Sequence, residues 1–182
     1  SSDFRIASLW NGEPARSDES VLLRVRAFED FLQLGVEAPF HRDPAPPLPP
    51  GPCWGLWDYE VVELFVVGIS DAYTEIELGP HGHHLVLKFR EKRQPYQREL
   101  PIDYKVEIQG DSWTGEARIP WSYLPEEPGR ANAYAIHGEG EHRRFLATFP
   151  VVGANPDFHR IEQFPELSRT SNPLVRPSLD PK

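Results

Sequence analysis

The fold is decided by the stretch from Glu60 to Glu91, which reads EVVELFVVGISDAYTEIELGPHGHHLVLKFRE. It holds three short segments rich in Val, Ile, Leu and Phe, separated by two groups of turn-forming residues. Branched and aromatic side chains favour strands, whereas Gly, Pro, Asp and Ser favour turns. The pattern therefore predicts three consecutive antiparallel strands, over 60–67, 73–79 and 84–91.

Alternation of side chains predicts how the last two of these strands pair. Successive side chains of a strand point to opposite faces, so Ile76 lies opposite Glu75. If the apolar faces of both strands coincide across a four-residue turn, Glu75 pairs with Lys88. One face would then be apolar, and the other would be either solvated or a concave ligand-binding surface. That polar face would consist of Glu75, Glu77, His84, Lys88 and Arg90.

The turn before Tyr73 sets a second pairing. A five-residue turn between Val67 and Tyr73 would bring Glu63 opposite Glu77, whereas a turn of four or six residues would place Glu60 on that face. Two facing carboxylates repel each other unless they share a proton, bind a cation or meet an arginine. The sequence leaves the turn length open, so the pair of carboxylates is a hypothesis.

The rest of the chain carries the same strand signals. They predict further strands over 4–10, 21–27, 31–37, 104–109, 113–119, 132–138 and 144–150, and one short helical turn over 120–123. The chain of 182 residues has 20 prolines, which suit short strands and long loops because proline breaks helix interiors. We therefore predict one all-β domain over 1–182, an antiparallel β-sandwich of the jelly-roll type with about ten strands. A proline-rich loop over 43–53 and an irregular tail from about 165 complete it.

Composition limits the partners and the compartment. A net charge of −9 argues against a nucleic acid or an anionic membrane surface as partner. Cys53 is the only cysteine, which excludes an internal disulfide and a zinc site built on cysteines. No stretch of 18 apolar residues and no signal-peptide pattern occurs. The sequence predicts a soluble protein of the cytoplasm and leaves open a removed leader.

Histidines and carboxylates in the same stretch suggest two kinds of chemistry. Imidazole and carboxylate ligands suit a divalent metal such as Zn, Fe or Ni, and the candidates are Glu77, His81 and His83. Alternatively, these histidines fix backbone groups of a turn. No nucleophile elbow, phosphate loop, dinucleotide fingerprint or zinc-protease helix motif occurs, which favours a non-catalytic domain. An enzyme would use Glu63, Glu77 and His81, either in acid–base chemistry of the kind found in glycoside hydrolysis or in metal-assisted chemistry.

Aromatic residues lead into the first of the three strands. Trp54, Trp57 and Tyr59 follow the proline-rich loop directly. Their rings can stack on the apolar face of a sugar beside carboxylates that bind hydroxyl groups. They can equally close one end of the sandwich.

These segments resemble carbohydrate-binding module family 9 and its DOMON-like relatives. The resemblance is carried by residues 56–65 (LWDYEVVELF), 73–82 (YTEIELGPHG), 113–121 (WTGEARIPW) and 130–132 (RAN). Residues 156–159, PDFH, together with the first two segments, are similar to an uncharacterised intracellular family with the same fold. The resemblance covers about 4–164 and implies a jelly-roll-like sandwich.

The resemblance also implies a type of ligand. Sugar-binding members clamp a saccharide between two tryptophans, aided by Glu, Arg and Asn side chains. Trp57 and Glu63 match the tryptophan and glutamate of such a site, and Asn132 matches the asparagine, whereas Phe145 and Phe149 stand where the second tryptophan is expected. We therefore predict binding of a saccharide or another small polar ligand. The candidate contacts are Trp57, Glu63, Glu75, Arg90 and Asn132.

A third hypothesis concerns a protein partner. The run of prolines over 44–52 could dock such a partner in the polyproline II conformation, which would make the chain an interaction scaffold.

Overall fold

The computed structural model describes residues 2–178, which form thirteen strands in two sheets, numbered β1 to β13 in chain order. The first sheet has the order β1 (Ser2–Ile6), β3 (Val21–Ala27), β4 (Phe31–Pro39), β11 (Ser112–Pro120) and β10 (Asp103–Gln109). The second has the order β2 (Ser8–Leu9), β13 (Arg144–Ala147), β12 (Arg130–His137), β6 (Val61–Val67), β7 (Tyr73–Leu78), β8 (His83–Glu91) and β5 (Gly51–Pro52). A further strand, β9 (Gln94–Gln97), pairs with β8.

The prediction of an all-β sandwich is confirmed. The strand count exceeds the predicted ten because the first predicted strand divides into β1 and β2, and because β5 and β9 were not foreseen. Instead of one helical turn, residues 2–178 contain four 3-10 turns, over Leu56–Asp58, Trp121–Tyr123, Gly140–His142 and Ile161–Gln163. The predicted turn corresponds to Trp121–Tyr123, and Pro120 occupies its N-cap.

The two sheets pack face to face through their apolar side chains. From β6, the residues Val62, Leu64 and Val66 point into this inner core, where they meet Leu34 and other side chains of the first sheet. Every residue of β6 and of β7 is buried, so the second sheet is covered on both sides. We call the face that points away from the first sheet the outer face.

A second apolar cluster covers the outer face. Phe65 of β6 and Leu87 of β8 belong to it, and the segment that follows β13 contributes Phe158, Ile161 and Phe164. Because this segment lies over the outer face, strands there need no solvated side. The alternation that predicts one polar face therefore fails in this sheet.

The predicted pairing of β7 with β8 is wrong by one residue. Glu75 lies opposite Leu87 and Leu78 opposite His84, instead of Glu75 opposite Lys88. Glu75 and Glu77 consequently share the outer face with Leu85 and Leu87, while the other side chains of the predicted polar face belong to the inner side. The cause is the cover on the outer face, which buries apolar side chains there as well.

The pairing of β6 with β7 is as the five-residue turn predicts. Val67 lies opposite Tyr73, and Glu63 lies opposite Glu77. The turn is closed by hydrogen bonds from Gly68 N to Ala72 O, at 2.8 Å, and from Asp71 N to Gly68 O, at 3.1 Å. Two glutamates thus face each other within a buried sheet.

The proline-rich loop runs along β8. Its end, Gly51–Pro52, forms a short parallel strand with β8, although the sequence predicts no regular structure there. Pro52 is tolerated because it lies at the sheet edge, where its missing N–H leaves no bond unmade. His83 Nε2 lies 2.7 Å from Leu48 O and links the loop to the strand.

Other polar contacts tie the ends of the chain to the sandwich. Glu19 is buried and its carboxylate accepts hydrogen bonds from Arg16 and Arg144. Although burial opposes the charge of Glu19, hydrogen bonds from Arg144, Arg16 and His137 outweigh it and lower the pKa to about 2.

In the tail, Leu167 N donates to Gly129 O at 2.8 Å and Leu174 is buried in the inner core.

Candidate ligand-binding cleft

An open cleft of about 440 Å³ lies on the outer face of the second sheet. Trp54 and Trp57 form one wall, and Phe145 and Phe158 contribute to the others. The sheet provides the floor. The residues of the floor are Glu63 from β6, Glu75 from β7, Leu87 and Phe89 from β8 and Ile136 from β12.

The two tryptophans are held by a tight turn. Gly55, between Trp54 and the 3-10 turn that contains Trp57, has a φ of +85°, a conformation that glycine adopts at little cost. The two rings lie edge to face, with centroids 5.0 Å apart and planes at 86°. Trp54 is 42% exposed, and the guanidinium of Arg98 lies 4.2 Å from its ring.

Three carboxyl groups meet beneath the cleft. Glu63, Glu75 and Glu77 each offer an oxygen within 4.8 Å of the others, and their exposed fractions are 1%, 5% and 0%. Among the described residues, neither oxygen of Glu77 nor Oε2 of Glu63 has a hydrogen-bond partner outside this group of carboxyls, whose members lie close enough to share a proton. The sheet brings them together because Glu63 and Glu77 are cross-strand partners and Glu75 is two residues from Glu77 on the same face.

Burial and mutual repulsion keep these groups from ionising together. Burial is the main cause that raises the pKa of all three carboxyls well above the usual value for glutamate. The second cause is the charge of a neighbouring member of the group, which raises the pKa further. Each pKa shift favours the protonated form, so the group holds protons at a pH where an exposed glutamate is ionised.

Two arginines border the cleft, and both are engaged elsewhere. The guanidinium of Arg143 donates to the backbone carbonyls of Trp57, Asp58 and Gly138. Arg93 forms an ion pair with Asp157. The charge of Arg143 lowers the pKa of Glu63, but burial and the neighbouring Glu75 raise it by more.

Tyr73 and His159 form a polar link beside the floor. Tyr73 Oη lies 2.7 Å from His159 Nδ1 and accepts a hydrogen bond from Arg93 N at 3.0 Å. Burial lowers the pKa of His159 to about 4 and raises the pKa of Tyr73 to about 12. Both side chains are therefore neutral near pH 7.

The structure brings together three of the five predicted ligand contacts. Trp57, Glu63 and Glu75 line the cleft, whereas Arg90 and Asn132 do not. Arg90 stacks on Tyr96, with its guanidinium carbon 4.0 Å from the ring centre. Asn132 is 0% exposed, and its side chain bonds to the backbone of neighbouring residues.

The histidine candidates do not converge on Glu77. Among residues 2–178, the one group of metal-ligand type with ligand atoms within 4.8 Å is Glu63, Glu75 and Glu77, so His81 and His83 are not part of it. His83 lies against Leu48, and His81 packs edge-on against Phe40 with ring centres 5.6 Å apart. Burial lowers the pKa of His84 to about 4.

Several cleft residues are absent from the predicted contacts. Among them are Trp54, Phe89, Arg143, Phe145, Phe158 and His159. Trp54 supplies the second tryptophan of the cleft, from the same loop as Trp57. The resemblance instead places the second tryptophan after the RAN segment, 130–132. Phe145 does line the cleft, and Phe149, the other residue at that place, does not. The PDFH segment provides Phe158 and His159, so that segment was the available signal for them.

No family model matches the chain. Curated relatives do match it over most of its length. The UPF0462 protein C4orf33 homolog of Mus musculus is 42% identical over 175 residues, which cover 91% of each chain. The chain belongs to the UPF0462 family. The human UPF0462 protein C4orf33 is 40% identical over 171 residues, covering 89% of this chain and 85% of the relative.

Solved structures with the same fold are much more distant in sequence than the UPF0462 relatives. A protein from Bacteroides uniformis with a proposed carbohydrate-binding function has a TM-score of 0.67 and 16% identity, covering 90% of this chain and 84% of its own. A family 9 carbohydrate-binding module from Caldicellulosiruptor kristjanssonii, in complex with cellotriose, has a TM-score of 0.52 and 14% identity. That match covers 81% of this chain and 72% of the module. These matches confirm the predicted fold.

The described residues include no helix that combines the length and the apolar character needed to span a membrane.

Proposed function

We propose that this UPF0462 protein is a non-catalytic binding domain that holds a saccharide or another small polar ligand in the outer-face cleft. The observation that carries the proposal is the pair of tryptophans, Trp54 and Trp57, above the carboxyls of Glu63 and Glu75. Aromatic rings bind the apolar face of a sugar, and a few convergent polar groups orient its hydroxyls. The fold shared with a cellotriose-binding module supports the same proposal.

Within this proposal, each part of the cleft has a distinct task. The tryptophan rings provide apolar contact area, and their edge-to-face arrangement forms a corner rather than a flat platform. Glu63 and Glu75 form hydrogen bonds with ligand hydroxyls. A carboxyl that holds a proton can donate such a bond, and one that has lost its proton accepts it. Arg143 fixes the backbone of Trp57 and Asp58, and so holds one wall in place.

The other two hypotheses have less support. Catalysis by Glu63, Glu77 and His81 requires the histidine to act beside the carboxyls, and His81 is not one of the residues that line the cleft. Docking of a protein partner at the proline-rich loop stays a prediction. Its end is paired with β8 and its Leu48 is 51% exposed.

Replacing Trp57 with alanine should weaken binding of saccharides at least about tenfold, because a stacked aromatic side chain contributes roughly 1.5–3 kcal/mol. The measurement is isothermal titration calorimetry with a panel of neutral and charged monosaccharides and cello-oligosaccharides. Trp121→Ala is the matched control, since this tryptophan lies away from the cleft and donates to Phe28 O. Circular dichroism of both variants verifies that they fold.

Two results would contradict the proposed function. One is a panel in which no saccharide binds the unmodified protein. The other is a Trp57→Ala variant that folds and binds as tightly as the unmodified protein, since the ligand would then lie elsewhere.

A further inference from the structure

The floor of the cleft carries a group of closely spaced acidic side chains. Three carboxyls lie within 4.8 Å of one another, and two of them, Glu63 and Glu75, border the open space. Glu63 is 1% exposed, and among the described residues its Oε2 has no hydrogen-bond partner outside the three carboxyls. A buried carboxyl oxygen is stabilised by a donor, so a ligand that donates to it gains affinity.

The basic groups around the floor hold other partners than its carboxyls. Arg143 keeps its positive charge near Glu63, but its guanidinium donates to backbone carbonyls, and the ion pair of Arg93 with Asp157 leaves little net charge. Burial holds His159 neutral by lowering its pKa to about 4.

The other groups beside the carboxyls are acidic or neutral, and Arg98 places its guanidinium at the Trp54 wall, 4.2 Å from that ring. Asp58 borders the cleft and adds a further carboxylate. Burial raises the pKa of the Cys53 thiol, which keeps this neighbour of Glu77 neutral. Tyr73 on the same face is neutral as well.

The walls above this floor suit an organic cation. The faces of tryptophan and phenylalanine rings attract ammonium groups, and they do so more strongly where the site excludes water. Trp57, Phe89 and Phe158 line the cleft above the carboxyls. Arginines already lie over the other two rings, Arg98 at 4.2 Å from Trp54 and Arg143 at 5.6 Å from Phe145. An ammonium group also offers three N–H donors, which matches a group of closely spaced carboxyl oxygens.

We propose that the cleft selects a ligand with a protonated amine, such as an amino sugar with a free amine, and that Glu63 and Glu75 hold its ammonium group. This proposal rests on the proposed function and narrows its ligand class. The sugar ring lies against the tryptophans, and the amine points to the floor. A bare metal ion would use the carboxyls alone, whereas an amino sugar uses the width and the aromatic walls of the cleft as well.

Binding of the amine changes the protonation of the floor. The carboxyls hold protons in the free protein because burial and mutual repulsion raise the pKa of each one. A positive charge beside them favours the ionised form and displaces a proton. An amino sugar therefore releases protons when it binds, and a neutral sugar does not.

The test compares glucosamine, N-acetylglucosamine and glucose, which share a ring and differ at one substituent. Calorimetry is run at about pH 6.5, below the pKa of an ordinary amine, in two buffers with different ionisation enthalpies. We expect glucosamine to bind at least tenfold more tightly than the other two sugars and to release protons. The Glu75→Gln variant should lose this preference, while Glu37→Gln, an exposed glutamate paired with Arg24, should keep it.

The outcomes separate this proposal from the proposed function. If glucose or N-acetylglucosamine binds as tightly as glucosamine, the amine proposal is wrong and saccharide binding stands. If none of the three sugars nor any other saccharide binds, both are wrong. The amine proposal is also overturned if the Glu75→Gln variant keeps the preference for glucosamine. Complete displacement of bound glucosamine by added calcium would overturn it as well.

Discussion

Replacing Asn132 with alanine should lower the free energy of unfolding by about 2–4 kcal/mol and leave ligand affinity unchanged. The side-chain amide donates to Phe149 O at 2.8 Å, and its oxygen accepts from Phe149 N at 3.0 Å and Ala133 N at 2.9 Å. Alanine removes all three bonds and leaves a cavity in a fully buried position. The segment after β13 would lose its two bonds to the Asn132 side chain and keep others to β12, such as the one from Thr148 N to Ala133 O.

Urea unfolding and calorimetric titration of the same variant measure the two effects. Asn155→Ala is the matched control, because Asn155 is exposed and should change stability by less than about 0.5 kcal/mol. The resemblance assigns Asn132 to the ligand, whereas the structure gives its hydrogen bonds to the backbone. A stable Asn132→Ala variant that no longer binds ligand would contradict the structural role.

Replacing Glu77 with glutamine should stabilise the protein by about 1–3 kcal/mol near pH 8 and have little effect near pH 4. The folded protein raises the pKa of Glu77 well above its value of about 4.3 in an unfolded chain. The folded state therefore holds the proton more strongly, and the free energy of unfolding falls as pH rises from about 4.3 through the raised pKa. Glutamine cannot ionise, and its presence reduces the repulsion on Glu63 and Glu75.

Urea unfolding between pH 4 and pH 8 measures the difference in the free energy of unfolding between Glu77→Gln and the unmodified protein. The variant should lose less stability than the unmodified protein as pH rises. Glu37→Gln provides the control, because the exposed Glu37 pairs with Arg24 at the surface and contributes at most about 1 kcal/mol. Parallel pH profiles for the unmodified protein and Glu77→Gln would contradict the account of the buried carboxyls.

Local sequence patterns predict much of the fold because most strands are marked by branched and aromatic residues between turns. The same reasoning predicts the Glu63–Glu77 pair, since one turn length brings these residues together. It fails for the pairing of Glu75 with Leu87, because side-chain alternation assumes that only one face of a sheet is buried. The cover over the outer face comes from residues about 80 positions later, and no local pattern near β8 encodes it.

Some residues of the candidate site could be predicted from the sequence, and others could not. Trp57 and Glu63 could be predicted because both lie in the stretch that resembles a known module. Phe158 and Arg143 could not be assigned to the cleft, because their place depends on how distant segments return to the second sheet. His81 illustrates the opposite error, since residues near Glu77 in the chain need not meet it in space.

Two-dimensional NMR of the tryptophan indole N–H groups tests whether the cleft beside Trp57 and Glu63 is the ligand site. Glucosamine and glucose are titrated into uniformly nitrogen-15-labelled protein. We predict that the signals of Trp54 and Trp57 move with ligand concentration while those of Trp113, buried in the inner core, and Trp121 stay in place. If both sugars leave the Trp54 and Trp57 signals unchanged, or move only that of Trp121, the cleft is not the ligand site.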